Sequence, residues 1–303
     1  MPAATLPPSH PPAMPPSSDV LPADPPATSL PAAALAFDAV AERFDERFGA
    51  WLSVAAQRRA VRAALAAAFP AGARVLEVGG GTGEDALWLA RQGYDVLLTD
   101  ASPAMVRVAG AKLAGEPRAR AEVSPAEELV HLAGRLRAQG VEPFDGAFSN
   151  FAGLNCVADL SPVARGLARL VRSGGAALLV LFGPFPPGEV VVETLRGRFR
   201  SAFRRLARGE VPARLGGRDF VVRYYRPAEV DRAMGPWFRP VARCGIGVFV
   251  PPSAAEPWIS RHPAFVRTLE AMDRAASRPL ALLGDHLLFH FERTGHPAPE
   301  AAE

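Results

Sequence analysis

The stretch VLEVGGGTGEDALWLA, Val75–Ala90, begins with the apolar residues of a short buried strand and continues with the spacing of an amphipathic helix. Gly79, Gly81 and Gly83 occupy alternate positions in the turn between them. Glycine lacks a Cβ atom and tolerates positive φ, so the backbone of this turn can lie very close to a ligand. Ligands of parallel α/β sheets bind beyond the carboxyl ends of the strands. The turn therefore predicts a ligand site at the end of the first strand.

Short apolar segments alternate with helical patterns on both sides of this turn. The predicted strands are Arg74–Val78, Asp95–Thr99, Ala119–Val123, Asp145–Ser149 and Ala176–Phe182. Large apolar residues at helical spacing precede the first strand and indicate one or two amphipathic helices. They are Phe44, Phe48, Trp51, Leu52, Val61, Leu65 and Phe69. Alternation of strand and helix predicts an α/β fold with a parallel sheet and helices on both faces.

The composition is that of a globular chain with one large core. Its 303 residues are 49% hydrophobic and 21% charged. The longest apolar run, Ala176–Phe182, is far shorter than the roughly 20 residues of a membrane-spanning helix. Cys156 and Cys244 are the only cysteines and lack metal-ligand spacing, so we predict a cytoplasmic protein with no metal site.

Changes in composition suggest the division of the chain. Residues 1–33, rich in proline and alanine, are predicted to be a disordered tail. The main domain is predicted at 34–295, with N-terminal helices at 34–70, and a C-terminal tail at 296–303. Two insertions into the main domain are predicted at 183–238 and 251–284. Val191–Asp219 is interpreted as an arginine-rich helical insertion, followed by a strand and a turn in FVVRYYRPAEV.

The glycine turn by itself is compatible with two kinds of ligand. A dinucleotide would place its pyrophosphate at the start of the following helix, but Glu84 and Asp85 lie there and would repel it. Together with Glu77 in the strand, these carboxylates favour a cationic ligand. S-adenosylmethionine carries a sulfonium and an ammonium group and has no phosphate. An NAD(P)-dependent oxidoreductase and a non-catalytic cofactor-binding protein are the alternatives.

The same stretch resembles the first motif of the class I S-adenosylmethionine-dependent methyltransferases, in which an acidic residue precedes G-x-G-x-G. The resemblance continues through YDVLLTDASPAMVRVA, AEVSPAEEL, FDGAFSNFAGLN and LVRSGGAALLVLF, and covers about Phe37–Phe182. It implies a Rossmann-like, seven-stranded, mostly parallel sheet whose last strand is antiparallel, with S-adenosyl-L-methionine as cofactor.

The resemblance also implies which residues bind the cofactor. Asp100 corresponds to the acid that binds the ribose hydroxyls, and Met105 to the apolar residue that covers the adenine. Pro125 stands where the family often has an Asp, so adenine recognition is expected from the Ala126 backbone or the Glu127 side chain. The full predicted set is Glu77, Gly79, Gly81, Gly83, Asp100, Ala101, Met105, Ala126, Glu127, Ser149 and Asn150.

The resemblance further implies that the insertions at 183–238 and 251–284 lie on the side of the methyl acceptor. FDAVAERFDERFG resembles the aromatic-acid pattern of small-molecule methyltransferases, whose N-terminal helices close over the cofactor. The candidates for lid or acceptor contacts are Phe44, Phe48, Tyr224, Tyr225, Trp258 and His286, with Trp237 and His262 as further residues to inspect. No nucleophile and base share a diagnostic spacing, so the sequence predicts no catalytic base.

These observations predict a methyltransferase that acts on a small-molecule acceptor. The arginines between Arg196 and Arg208 raise nucleic acid as an alternative acceptor. The fourth motif reads Ser-Asn-Phe-Ala, however, and lacks the Asn/Asp-Pro-Pro-aromatic signature of enzymes that methylate exocyclic amines of bases. No RNA-binding module accompanies it. A nucleic-acid partner is therefore not expected, and the sequence does not indicate an oligomeric state.

Overall fold

The computed structural model describes residues 30–207, 209–256 and 258–298. The helices are α1 (Ala32–Asp38), α2 (Phe44–Phe48), α3 (Leu52–Ala68), α4 (Glu84–Arg91), α5 (Pro103–Leu113), α6 (Leu129–Ala138), α7 (Leu160–Leu170), α8 (Pro187–Leu195), α9 (Phe199–Ala202), α10 (Pro227–Met234) and α11 (Pro263–Ala276). The strands are β1 (Arg74–Val78), β2 (Asp95–Asp100), β3 (Ala119–Val123), β4 (Phe144–Ser149), β5 (Val171–Phe182), β6 (Glu210–Leu215), β7 (Arg218–Arg223), β8 (Phe238–Ile246) and β9 (His286–Arg293).

Seven of these strands form one sheet in the order β3-β2-β1-β4-β5-β9-β8. Strands β1 to β5 are parallel to one another, and β9 is antiparallel to both β5 and β8. The predicted α/β, Rossmann-like fold with a mostly parallel seven-stranded sheet is therefore confirmed. All five strands predicted from apolar segments are present, although β5 begins five residues earlier, at Val171, where it pairs with Phe144.

Helices cover both faces of the sheet. Alternate residues of each strand point to opposite faces, so both sets are buried. Leu76 and Leu97 pack with apolar residues of α6, α7 and α10. Val75 and Val96 pack with residues of α3, α4 and α5 on the other face. No helix in the described ranges has both the length and the apolar composition needed to cross a bilayer.

The prediction of a helical insertion over Val191–Asp219 is wrong in its second half. Helices α8 and α9 occupy the first half, but Glu210–Leu215 forms β6, which pairs antiparallel with β7 outside the main sheet. Gly216 and Gly217 connect the two strands with φ of +56° and +77°. Two consecutive positive φ values match the turn that best fits the right-handed twist of a two-residue hairpin. Helix α1 packs against this hairpin, so the hairpin supports the N-terminal helices.

The predicted boundary of the N-terminal tail also needs correction. Residues 1–29 lie outside the described part of the chain. Helix α1 begins at Ala32, within the range 1–33 assigned to the tail. The helix starts directly after Pro31, which has the extended conformation common before a helix. The ordered N-terminal region therefore includes residues that the composition assigned to the tail.

Candidate functional site

A cavity lies beyond the carboxyl ends of β1, β2 and β4, where the strand order reverses between β1 and β4. This is the position at which open α/β sheets bind ligands. Nine of the eleven predicted cofactor residues line it: Glu77, Gly79, Gly81, Asp100, Ala101, Met105, Ala126, Glu127 and Asn150. Gly83 and Ser149 are not in the lining. The predicted set is thus largely brought together at one place.

The three predicted glycines have different roles. Gly79, Gly81 and Gly83 all have positive φ, of +68°, +57° and +80°. A Cβ atom added to Gly81 would meet no protein atom within 4 Å, which shows that the backbone there borders open space. A Cβ on Gly83 would lie 3.2 Å from the Ala109 Cβ. Gly83 therefore permits close packing of α4 on α5, while Gly79 and Gly81 border the cavity.

Glu77 is a buried carboxylate that borders the cavity. It is only 2% exposed, and its Oε2 has no hydrogen-bond partner among the described residues. Burial, followed by the neighbouring Asp85 carboxylate, holds the pKa of Glu77 well above its usual value. A buried charge of this kind is costly unless a partner neutralises it. The site is therefore suited to a cationic group of a ligand.

Asp100 ends β2 on the opposite side of the glycine turn. Its Oδ2 accepts a hydrogen bond from the Gly81 N–H and its Oδ1 from the Ser102 N–H, both at 2.9 Å. Burial raises the pKa of Asp100, although these backbone donors partly offset the effect. Each carboxylate oxygen can accept a further hydrogen bond. The side chain is therefore held in place and can still accept hydroxyl donors from the cavity.

The charges at the start of α4 differ from the sequence-based expectation. Asp85 accepts hydrogen bonds from Arg58, Arg62 and Asn150, at 2.9, 2.8 and 2.7 Å. Glu84 forms an ion pair with Lys112, the only lysine of the chain. Both carboxylates are thus neutralised, so they do not supply the free negative charge that the argument against a pyrophosphate required. The Oε2 of Glu77 has no such partner, and a cationic ligand would stabilise the ionised form of this carboxyl group.

The N-terminal helices cover the cavity and are attached by two aspartates. Phe37 and Phe44 line the cavity. Asp38, next to Phe37, accepts hydrogen bonds from the Ser102 hydroxyl and from the Ala104 N–H at the start of α5. The residue next to Phe44 is Asp45, which accepts from the Thr82 hydroxyl and the Lys112 ammonium, each at 2.6 Å. A repeated Phe-Asp pair thus contacts the cavity with its rings and the domain with its carboxylates.

Two predicted acceptor-side residues lie elsewhere. Phe48 packs on Phe44 and on Trp51, with ring centroids 4.8 and 5.1 Å apart, and does not line the cavity. Trp258 is 53% exposed, and its ring contacts His262 and Phe265 on the surface. Helical spacing identified both as regularly placed aromatic residues, but it could not tell which face of the helix meets the cavity.

Other candidates cluster beside the cavity, at the ends of β4 and β5 and the start of β9. The His286 ring stacks on Phe182 at 5.3 Å and meets Phe151 edge-on at 5.8 Å. Phe151 lines the cavity, and Tyr224 packs on the far side of this group at 5.5 Å from Phe182. Tyr225, by contrast, is buried in the core, and its hydroxyl donates to the Val157 carbonyl. Tyr225 is therefore assigned a structural contact.

His286 is held beside a buried ion-pair network. Its Nδ1 lies 3.5 Å from Asp285 Oδ2, and Asp285 also accepts hydrogen bonds from Gln57 and Arg205. Arg205 in turn pairs with Glu189. Burial lowers the pKa of His286, so the imidazole is neutral near pH 7. Nδ1 is buried and has no hydrogen-bond partner among the described residues.

Among the lining residues that the sequence did not indicate are Arg58 and Phe37. Arg58 lines the cavity, and its guanidinium lies 4.7 Å from the centre of the Phe151 ring. Arg58 and Arg62 are four residues apart and therefore lie on one face of α3. This spacing could have indicated that both arginines reach one carboxylate, which is that of Asp85. Phe37 was not among the predicted candidates. The Phe-Asp pair at Phe37 recurs seven residues later at Phe44, and this repeat could have indicated it. Phe151 and Ala152 have φ of +48° and +60°, a strained conformation that often marks functional sites.

Comparisons with known proteins agree with this geometry. Residues 75–175 match the model of a family described as a methyltransferase domain. The CcbJ methyltransferase from Streptomyces caelestis is 18% identical, with a TM-score of 0.54, and the match covers 86% of this chain and 98% of that one. A protein of Listeria monocytogenes described as an S-adenosylmethionine-dependent methyltransferase is 16% identical, with a TM-score of 0.52, and the match covers 79% and 97%. No curated protein matches the chain.

The family match and the fold indicate the class of the protein. Residues 75–175 match a methyltransferase domain, and the described chain shares its fold with solved methyltransferase structures. The resemblance to the class I S-adenosylmethionine-dependent methyltransferases, predicted from the sequence, is therefore confirmed.

Proposed function

We propose that this protein binds S-adenosyl-L-methionine in the cavity described above and transfers its methyl group to a small-molecule acceptor. The observation that carries the proposal is the buried carboxyl group of Glu77, a residue of the cavity lining whose Oε2 has no hydrogen-bond partner among the described residues. A cationic ligand would neutralise it. An NAD(P) pyrophosphate would place negative charge close to it instead.

Different residues of the cavity would bind different groups of the cofactor. Asp100 accepts hydrogen bonds from the ribose hydroxyls, because its carboxylate is fixed by two backbone donors. Glu77 neutralises the ammonium group, and Met105, which is buried in the lining, packs against the adenine. The bound cofactor supplies an activated methyl group for direct displacement. Alignment of the acceptor with that group can provide much of the rate enhancement.

The enclosed cavity favours a small acceptor. Helix α1 and Phe44 lie over the cofactor side, and Asp38 and Asp45 tie these elements to the domain. Such a cover excludes water from the reaction and also excludes a polymer from the cofactor side. The acceptor would lie beside Phe151, among Phe182, Tyr224 and His286. These rings suit an aromatic or apolar molecule.

His286 is the residue best placed to accept a proton from a hydroxyl acceptor. Its neutral imidazole has Nδ1 3.5 Å from Asp285 Oδ2, and Nε2 would face the acceptor. During methylation of a hydroxyl acceptor, Nε2 of His286 would take the hydroxyl proton. Asp285 then stabilises the imidazolium.

Ligand selectivity tests the proposed function directly. We expect S-adenosylmethionine and its demethylated product to bind the purified protein with micromolar affinity, and NAD and NADP to show no binding, because Glu77 favours a cation at this position. Isothermal titration calorimetry with the four ligands measures this. Binding of NAD more tightly than S-adenosylmethionine would contradict the proposal.

The protonation of His286 can be measured without knowledge of the acceptor. Because burial lowers its folded pKa, we expect the His286 resonance to titrate below the ordinary histidine value of about 6.5. The neutral form then stabilises the fold above that value, and this stabilisation is lost as the pH falls through the folded pKa. His286→Gln should flatten the dependence of melting temperature on pH in this window.

The exposed His131 provides a matched control, since His131→Gln should leave that pH dependence unchanged. The measurements are an NMR titration of the imidazole protons and thermal unfolding between about pH 5 and 7.5. A pKa for His286 above about 7 would make the ring mostly cationic at pH 7. That result would exclude it as the base.

A further inference from the structure

The segment from Phe185 to Leu206, between β5 and β6, buries acidic side chains and exposes large apolar ones. Its two glutamates, Glu189 and Glu193, are buried. Glu189 pairs with Arg204 and Arg205, and Glu193 with Arg196. Six large apolar side chains of the same segment are each more than half exposed: Phe185, Val191, Leu195, Phe199, Phe203 and Leu206. We call these six residues the insertion face.

The insertion face includes residues of two helices. Val191 and Leu195 belong to α8, Phe199 begins α9, and Phe203 directly follows α9. Residues four apart in a helix lie on the same side, so Val191 and Leu195 project together from α8. Leu195 is 83% exposed, the largest value among the exposed large apolar residues of the described chain. A contiguous exposed apolar surface marks an interaction site.

The charge around the insertion face indicates the chemistry of its partner. The segment contains five arginines and two glutamates, which gives a net charge of +3. Both glutamates are buried, whereas Arg196, Arg198, Arg200 and Arg204 are exposed between the apolar residues. A two-fold dimer through this face would bring one positive surface against an identical one. Like charges at an interface oppose association, so the partner is anionic and apolar.

We propose that the insertion face binds the surface of an anionic lipid bilayer. Apolar side chains would enter the boundary between headgroups and acyl chains, while the interleaved arginines contact the lipid phosphates. Within the same segment, Arg205 donates hydrogen bonds to the Gly183 carbonyl and to Asp285, beside His286. Arg205 therefore links the segment that would contact the lipid to Asp285, the neighbour of His286. This proposal does not depend on the assignment of the cofactor.

Co-sedimentation of the full-length protein with vesicles tests this proposal. We expect binding to vesicles of phosphatidylcholine mixed with phosphatidylglycerol, and little binding to phosphatidylcholine alone. Leu195→Ser combined with Phe199→Ser should lower the partition coefficient on the order of 100-fold, because two apolar side chains no longer enter the lipid. Arg198→Gln and Arg200→Gln should each lower it roughly fivefold, and salt should weaken binding.

A second double variant controls for the loss of exposed apolar surface elsewhere. Phe265→Ser with Met272→Ser removes two exposed apolar residues of α11 and should leave vesicle binding unchanged. Equal losses in both double variants, or no binding of the wild-type protein to anionic vesicles, would overturn the proposal. Self-association that disappears in the Leu195/Phe199 variant would assign the face to a second copy. Vesicle binding only after deletion of residues 1–29 would assign it to the N-terminal segment.

Discussion

In the Glu77→Gln variant, we expect S-adenosylmethionine affinity to fall by roughly 2–4 kcal/mol, the scale for loss of one partner of a buried charge pair. The free protein should become more stable, because glutamine keeps the shape of the side chain without its buried charge. Burial raises the folded pKa of Glu77, so ionisation destabilises the fold as the pH rises above the unfolded value of about 4.3. The increase in the free energy of unfolding caused by Glu77→Gln should therefore become larger as the pH rises above that value.

Two controls separate charge neutralisation from general damage. 5′-Methylthioadenosine lacks the ammonium group, so its affinity should be the same in the wild-type protein and in Glu77→Gln. Glu116→Gln, which removes a surface pair with Arg91, should change neither affinity nor stability by more than about 1 kcal/mol. Calorimetry and thermal unfolding provide both measurements. A destabilised Glu77→Gln variant with unchanged S-adenosylmethionine affinity would show that Glu77 is structural.

Two N-terminal deletions should have opposite outcomes. Removal of residues 1–29 should leave fold and cofactor affinity unchanged, because α1 begins at Ala32. Removal of residues 1–48 takes away Phe37, Phe44 and both attaching aspartates, and should lower turnover by roughly 100-fold or more. Turnover would be measured with the acceptor found by comparing metabolites of cells with and without the gene.

A milder change distinguishes loss of the cover from misfolding. Asp38→Ala combined with Asp45→Ala keeps the whole chain but removes the hydrogen bonds to Ser102, Ala104 and Thr82. We expect weaker cofactor binding with a melting temperature close to that of the wild-type protein. Full activity in both the double variant and the longer deletion would show that the N-terminal helices are not part of the active site.

The fold could be predicted because its signals are local. The change from strand to helix spacing around Gly79 lies within Val75–Ala90, and the buried runs of parallel strands recur along the sequence. The hairpin of β6 and β7 escaped prediction, although Gly216 and Gly217 are a typical turn pair. The arginine-rich composition around it favoured a helix. Pairing with β7, which lies beyond the turn, stabilises the strand instead.

The sequence by itself determined the glycine turn, the acid that precedes it and the order of strands and helices, because each depends on neighbouring residues. Only the tertiary structure decided which charges are free. Arg58 and Arg62 reach Asp85 from α3, and Lys112 reaches Glu84 from α5, whereas the buried Oε2 of Glu77 has no hydrogen-bond partner among the described residues. Ion pairing depends on distances between segments that are far apart in the chain, and no periodic pattern records them.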